Sequence, residues 1–122
     1  MNTVANPAIS PQPTRRWGRY KIDVPIRLIS WNDPLQAKII DARAREISEG
    51  GTAVFAGVEL RIDTIVEVEF TPAYSCAPLR VSAQVRNRNG YYYGLEFLQD
   101  TRTGQEQAAR LRELLKSASE SL

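Results

Sequence analysis

The chain has 122 residues, 43% of them apolar and 25% charged, with a formal charge of +2; this suits one globular domain with a modest core and is too mildly basic for general nucleic-acid binding. No apolar run approaches the ~20 residues of a membrane span, and the first residues lack the charged and apolar segments of a secretory signal. There is no histidine and one cysteine, Cys76, which excludes histidine-dependent nucleophiles, histidine-based zinc and iron sites and any internal disulfide; a cytoplasmic protein is expected, with Cys76 structural or incidental.

Residues 1–13 hold Pro7, Pro11 and Pro13 and show no periodicity, so a disordered lead-in is predicted there and a single domain over 14–118. Thr14-Arg15-Arg16-Trp17-Gly18-Arg19-Tyr20 follows. The prolines before it and Gly18 within it favour a loop or extended arm over a helix. Three guanidinium groups within five residues repel one another until an anion sits among them. Arginine's planar fork meets two phosphate oxygens at once, matches the O6/N7 edge of guanine, and stacks on a base. A solvated basic tail is the plainer alternative for this stretch.

Six strands are predicted next, near 23–31, 36–47, 52–57, 64–71, 78–88 and 91–98. Val24, Ile26 and Leu28 share one face of the first, and Pro25, which cannot donate to a ladder, belongs at a strand start or an edge. Trp31-Asn32-Asp33-Pro34 supplies a turn. In the second strand the apolar phase changes between Ala37/Ile39 and Ile40/Ala42/Ala44, which a bulge near residues 39–42 would reconcile. Val66, Val68 and Phe70 alternate with Glu67 and Glu69 in the fourth strand, and these acids disfavour a long basic groove. Leu79–Asn87 against Tyr91–Leu98 forms a hairpin, with Asn89-Gly90 as a type I′ turn. Its tyrosines are either half-buried strand residues or a platform for bases.

Glu46-Ile47-Ser48-Glu49-Gly50-Gly51 lies at the corner after the second strand. Glu46 and Ser48, two apart, point to one face. A carboxylate there can accept from the N1–H and amino group of a guanine, a hydroxyl can bond base or phosphate, and Gly51 leaves the surface clear. An ordinary turn with a solvated glutamate is the alternative. The chain closes on a helix predicted near 104–118, with Thr103 as N-cap, Glu106 completing a capping box, and a stripe of Ala108, Leu111, Leu115 and Ala118 for the barrel end or a partner protein. Many short strands before one helix point to a small antiparallel barrel.

Arg15-(three residues)-Arg19, then Glu46-x-Ser48-x-x-Gly51, then Tyr93-Gly94-Leu95-Glu96-Phe97 and a terminal helix resembles the PilZ domain family. The resemblance spans about residues 14–118. It implies an all-β fold, a six-stranded antiparallel β-barrel of the split-barrel type with a C-terminal α-helix. It implies binding of the bacterial second messenger cyclic di-GMP, with no catalysis, metal or cofactor. Arg15 and Arg19 would clamp guanines and phosphates, Arg16 could reach a phosphate, and Glu46, Ser48 and Gly51 would line the barrel half of the site. Glu46 departs from the family's Asp or Asn at its position. Ligand would fold the arm onto the barrel, and a partner protein in trans would read the new surface. The alternatives are a PilZ-like adaptor that binds no nucleotide and a single-strand nucleic-acid binder; no nucleophile–base pair or metal constellation suggests an enzyme.

Overall fold

The computed structural model describes residues 18–33, 36–75 and 77–120. Within these limits the chain forms β1 (Tyr20–Asp33), β2 (Gln36–Ile47), β3 (Gly51–Ala56), β4 (Ile65–Phe70), β5 (Leu79–Asn89), β6 (Tyr92–Phe97) and α1 (Arg102–Glu120). The strands close into an antiparallel barrel in the order β1-β2-β3-β6-β5-β4, with β4 pairing back onto β1. The predicted strands and helix are all present. The predicted lead-in, Arg15, Arg16 and Trp17 of the arm, Pro34 of the first turn and Cys76 lie outside the described residues.

The interior follows from period-2 alternation of β-branched residues. Ile22, Val24, Ile26 and Leu28 of β1, Val66 and Val68 of β4, Val81, Ala83 and Val85 of β5, and Tyr93, Leu95 and Phe97 of β6 all point inward and are buried. The Tyr93 hydroxyl donates to the Val58 carbonyl at 2.7 Å and accepts from the Leu60 amide at 3.0 Å, so its buried oxygen is satisfied while it ties down the β3–β4 loop. Pro25 sits mid-strand, but β4 pairs only with residues 27–30 of β1. It therefore lies on a stretch with a ladder partner on one side, which is what a residue without an N–H requires.

Three local predictions are corrected. The bulge in β2 is not near 39–42. Ile39 simply faces outward and is exposed, while Ile40, Ala42 and Ala44 point in; the register with β3 slips between Ala44 and Glu46, at Arg45. The β5–β6 turn is centred one residue later than expected. Asn89 pairs with Tyr92, and only Gly90 has positive φ, at 65°. A glycine alone at the first central position matches a type II′ turn rather than type I′. The helix cap is Thr101, whose hydroxyl accepts from the Gly104 amide at 2.9 Å. α1 thus begins at Arg102, ahead of the predicted cap Thr103, because the earlier threonine reaches the third helical amide first. Ala108, Leu111 and Leu115 are fully buried against the barrel, α1 packing on β1 and β5. Each leucine contributes on the order of 1.5–3 kcal/mol of apolar burial. The stripe is covered by the protein's own core.

Candidate functional site

Two bulges shape the outer surface of one end of the barrel. At Arg45 the extra residue reverses the inward phase of β2, so that Ile47 enters the core and Glu46 turns outward opposite Ala53. In β5 the register with β6 slips between Val85 and Asn87, at Arg86, which places Asn87 outward opposite Gly94. The pairings Glu46–Ala53, Ala53–Gly94 and Gly94–Asn87 then run as one outward row across β2, β3, β6 and β5. The two central residues are the small ones. The row is a floor with a polar group at either end, and it lies in an open depression of about 410 Å³.

Arg19, Glu46, Ser48 and Gly51 all line this depression, together with Arg86, Asn87 and Glu96. Arg19 immediately precedes β1, and β1 pairs with β2 through Lys21 and Glu46, so the antiparallel ladder itself brings the arm's last arginine to the carboxylate. The Arg19 Nη1 atom lies 3.9 Å from Glu46 Oε1, with the two side chains 68% and 32% exposed. That is a long, solvated ion pair worth about 0–1 kcal/mol. Ser48 begins the corner: its amide donates to the Gly51 carbonyl at 2.9 Å, and its hydroxyl lies 3.2 Å from the same oxygen. That hydroxyl oxygen keeps lone pairs for another donor.

Gly51 has a reason that the sequence did not supply. A Cβ there would overlap the backbone carbonyl of Leu95, so β3 can approach β6 at this point only without a side chain. The demand is softer at Gly94, where a Cβ would crowd the Asn87 side-chain amide, a group that can swing aside. Opposite the motif residues, Arg86 Nε donates to Glu96 Oε1 at 2.6 Å, and Arg86 Nη1 lies 3.7 Å from Asp63 Oδ1. Beyond Ala53 the row through Arg43, Phe55 and Tyr92 carries an edge-to-face aromatic pair, ring centroids 5.2 Å apart. Arg45 donates to the Tyr92 hydroxyl at 3.2 Å. Arg43 hydrogen-bonds Asp23 at 2.6 Å and holds its carboxyl below the usual carboxylate range.

Four of the six sequence-derived site residues are therefore brought together. Arg15 and Arg16 lie outside the described residues. Sequence reasoning missed Arg86, Asn87, Gly94 and Glu96. One signal for them was present: a glycine inside a strand pattern, Gly94, marks a close approach or a bulge nearby. Among the described residues no group of His, Cys, Asp and Glu could hold a metal ion, and no helix is long and apolar enough to cross a membrane. The surface offers two arginines, two carboxylates, an amide and a hydroxyl around an uncluttered floor. These are groups for holding a polar, anionic ligand.

Comparison with known proteins agrees with this architecture. The fold is similar to the PilZ domain of CeSA from a cellulose-synthesizing bacterium, with a TM-score of 0.64 and 17% identity over 80% of this chain and 97% of that one. It is also similar to the PilZ domain of YcgR from Escherichia coli, solved with c-di-GMP, with a TM-score of 0.58 and 17% identity over 89% of this chain and 96% of that one. No curated protein matches the chain. The sequence profile of the PilZ domain matches residues 13–116. With a matching profile over most of its length, a closed six-stranded antiparallel barrel and one C-terminal helix, the chain belongs to the PilZ domain family.

Proposed function

We propose that the protein is a receptor for cyclic di-GMP, which it binds between the Arg15–Arg19 arm and the Glu46-x-Ser48-x-x-Gly51 surface of the barrel. The observation that carries this reading is the convergence of Arg19, Glu46, Ser48 and Gly51 on one depression although they come from two separate stretches of chain. The c-di-GMP in the similar E. coli domain supports the choice of ligand. Arg19 and its neighbours Arg15 and Arg16 supply charge-assisted forks for phosphate and for the guanine O6/N7 edge. Glu46 accepts from the guanine N1–H and amino group, and Ser48 bonds base or phosphate. The residue 46 carboxylate stands one methylene further from the backbone than the family's aspartate, about 1.5 Å of extra reach. In the free protein its Oε1 stands 3.9 Å from Arg19 Nη1. Ligand closes the arm over the Ala53–Gly94 floor, and a partner protein reads the closed surface in trans. The function is binding, with no chemical step.

The second reading is an adaptor that binds no nucleotide, and Glu46 in contact with Arg19 is the observation that favours it. Calorimetric titration with cyclic di-GMP beside GMP and short oligonucleotides separates the two. Saturable heat with cyclic di-GMP alone is expected. No heat at millimolar nucleotide would leave the adaptor in first place, and a preference for oligonucleotides would replace both readings.

A further inference from the structure

Two side chains of α1, one helical turn apart, reach the two segments that form the candidate site. Arg112 is buried on the apolar side of the helix, beside Leu111 and Leu115. Its Nη1 donates to the backbone carbonyl of Glu49 at 2.8 Å. A leucine would pack at that position without the cost of desolvating a guanidinium, so polar contacts, the Glu49 bond among them, are what the arginine adds. Glu49 is the central residue of the Ser48–Gly50 corner. The same carbonyl lies 3.4 Å from Gln99 Nε2, and Gln105 Nε2 donates to the Gln99 carbonyl at 3.1 Å, which links the first turns of the helix into the contact. Four residues on, Lys116 Nζ stands 4.5 Å from the ring centroid of Tyr20, the residue after Arg19. Residues at this spacing lie on one helix face. A second depression, about 680 Å³ and lined by Arg112, Gln99 and Gln105, shares Arg19, Ser48 and Gly50 with the first. The corner therefore stands as a ridge with the proposed ligand surface on one side and the helix contacts on the other.

We propose that α1 positions the site: Arg112 fixes the β2–β3 corner through the Glu49 carbonyl, and Lys116 holds Tyr20, the residue after Arg19. The ligand-binding half of this inference rests on the cyclic di-GMP reading. The positioning half is measurable in the free protein. Arg112 is a positioning residue, acting on Ser48 and Gly51 through the backbone between them.

The test compares Arg112→Met, Arg112→Lys, Lys116→Met and the core control Leu115→Ala in the full chain. Amide hydrogen exchange is read at Ser48 and Phe97, whose N–H groups bond the Gly51 and Gly50 carbonyls at 2.9 and 2.8 Å. The reference is Val68, which is paired on both sides within the barrel. Arg112→Met is expected to speed exchange at Ser48 and Phe97 about fivefold or more relative to Val68, because the opening becomes local. Leu115→Ala should speed all three together. Cyclic di-GMP affinity should fall about tenfold in Arg112→Met, less in Arg112→Lys, which keeps a donor, and about threefold in Lys116→Met. Nucleotide that binds the unaltered protein and Arg112→Met equally well would overturn the inference, and so would an unchanged exchange ratio. If the unaltered protein binds no cyclic di-GMP, the functional reading falls, and the exchange ratio alone upholds or overturns positioning by Arg112.

Discussion

Two of the barrel's arginine–glutamate clusters, around Glu69 and around Glu46, are built differently. In the first, Glu69 sits between Arg27 of β1 and Arg80 of β5, its cross-strand neighbours on either side. Arg80 Nε donates to it at 2.8 Å, Arg27 lies 3.9 Å away, and the Glu69 side chain is only 10% exposed. In the second, Glu46 has small neighbours on the β3 side, Ala53 and then Gly94, and its arginine comes from the residue before β1. The nearest approach there is 3.9 Å between solvated groups, beside a depression of about 410 Å³. The same two residue types give a closed ion pair where the sheet supplies partners on both sides. They give an open, half-committed pair where the sheet supplies a floor of alanine and glycine. On the proposed reading, the first belongs to stability and the second to a ligand.

The largest effect expected to sharpen this contrast is on binding. Arg19→Ala should cost about 2–4 kcal/mol of cyclic di-GMP affinity by calorimetry, since it removes a charge-assisted fork. The melting temperature of the free protein should barely move, because the side chain is mostly solvated. A free protein several degrees less stable would make Arg19 structural and erase the difference between the clusters. Next comes Gly51→Ala, which forces a Cβ onto the Leu95 carbonyl. It should destabilise the fold by about 1–3 kcal/mol in denaturant titration, the usual range for overpacking; an unchanged midpoint would show that β3 and β6 part there easily. Glu69→Gln should cost about 1 kcal/mol of stability, a value discounted because both arginine partners reach solvent, and should leave nucleotide affinity unchanged. The smallest effect is Glu46→Asp. Shortening the acid releases a contact worth at most about 1 kcal/mol, so affinity should stay equal or improve by less than about fivefold. Weaker binding would mean that the extra methylene helps to hold the ligand.

The fold was largely legible because inward valines, isoleucines and aromatics alternate cleanly in most strands, and the Ala108–Leu111–Leu115 stripe has helical spacing. What was misplaced depended on pairing rather than on local pattern. The bulge at Arg45 shows only when β2 is set against β3; the sequence alone placed the phase change earlier, near residues 39–42, because Ile39 is an outward residue that happens to be apolar. Asn89-Gly90 and Thr103 carry favourable local signals, but the β5–β6 register centres the turn on Gly90-Tyr91 and the Thr101 hydroxyl caps the helix. At the candidate site, the sequence singled out Glu46, Ser48 and Gly51 by their spacing and Arg19 by the arm, and the four line one depression. Asn87, Gly94 and Arg112 were not, because they meet the motif only through the β3–β6–β5 ladder and the docking of α1.

The central claim is that the open cluster is a cyclic di-GMP site, and thermal melting of the full chain with and without nucleotide tests it most directly. A ligand that binds only the folded state adds about 2.7 kcal/mol at a hundredfold excess over Kd. For a domain of this size each kcal/mol raises the melting temperature by roughly 3–6 °C. Cyclic di-GMP should raise the melting temperature on the order of 10 °C, by less as salt screens the arginines, and the rise should be largely lost in Arg19→Ala. A melting temperature that stays flat at millimolar cyclic di-GMP, or one that rises equally in Arg19→Ala, would contradict that claim.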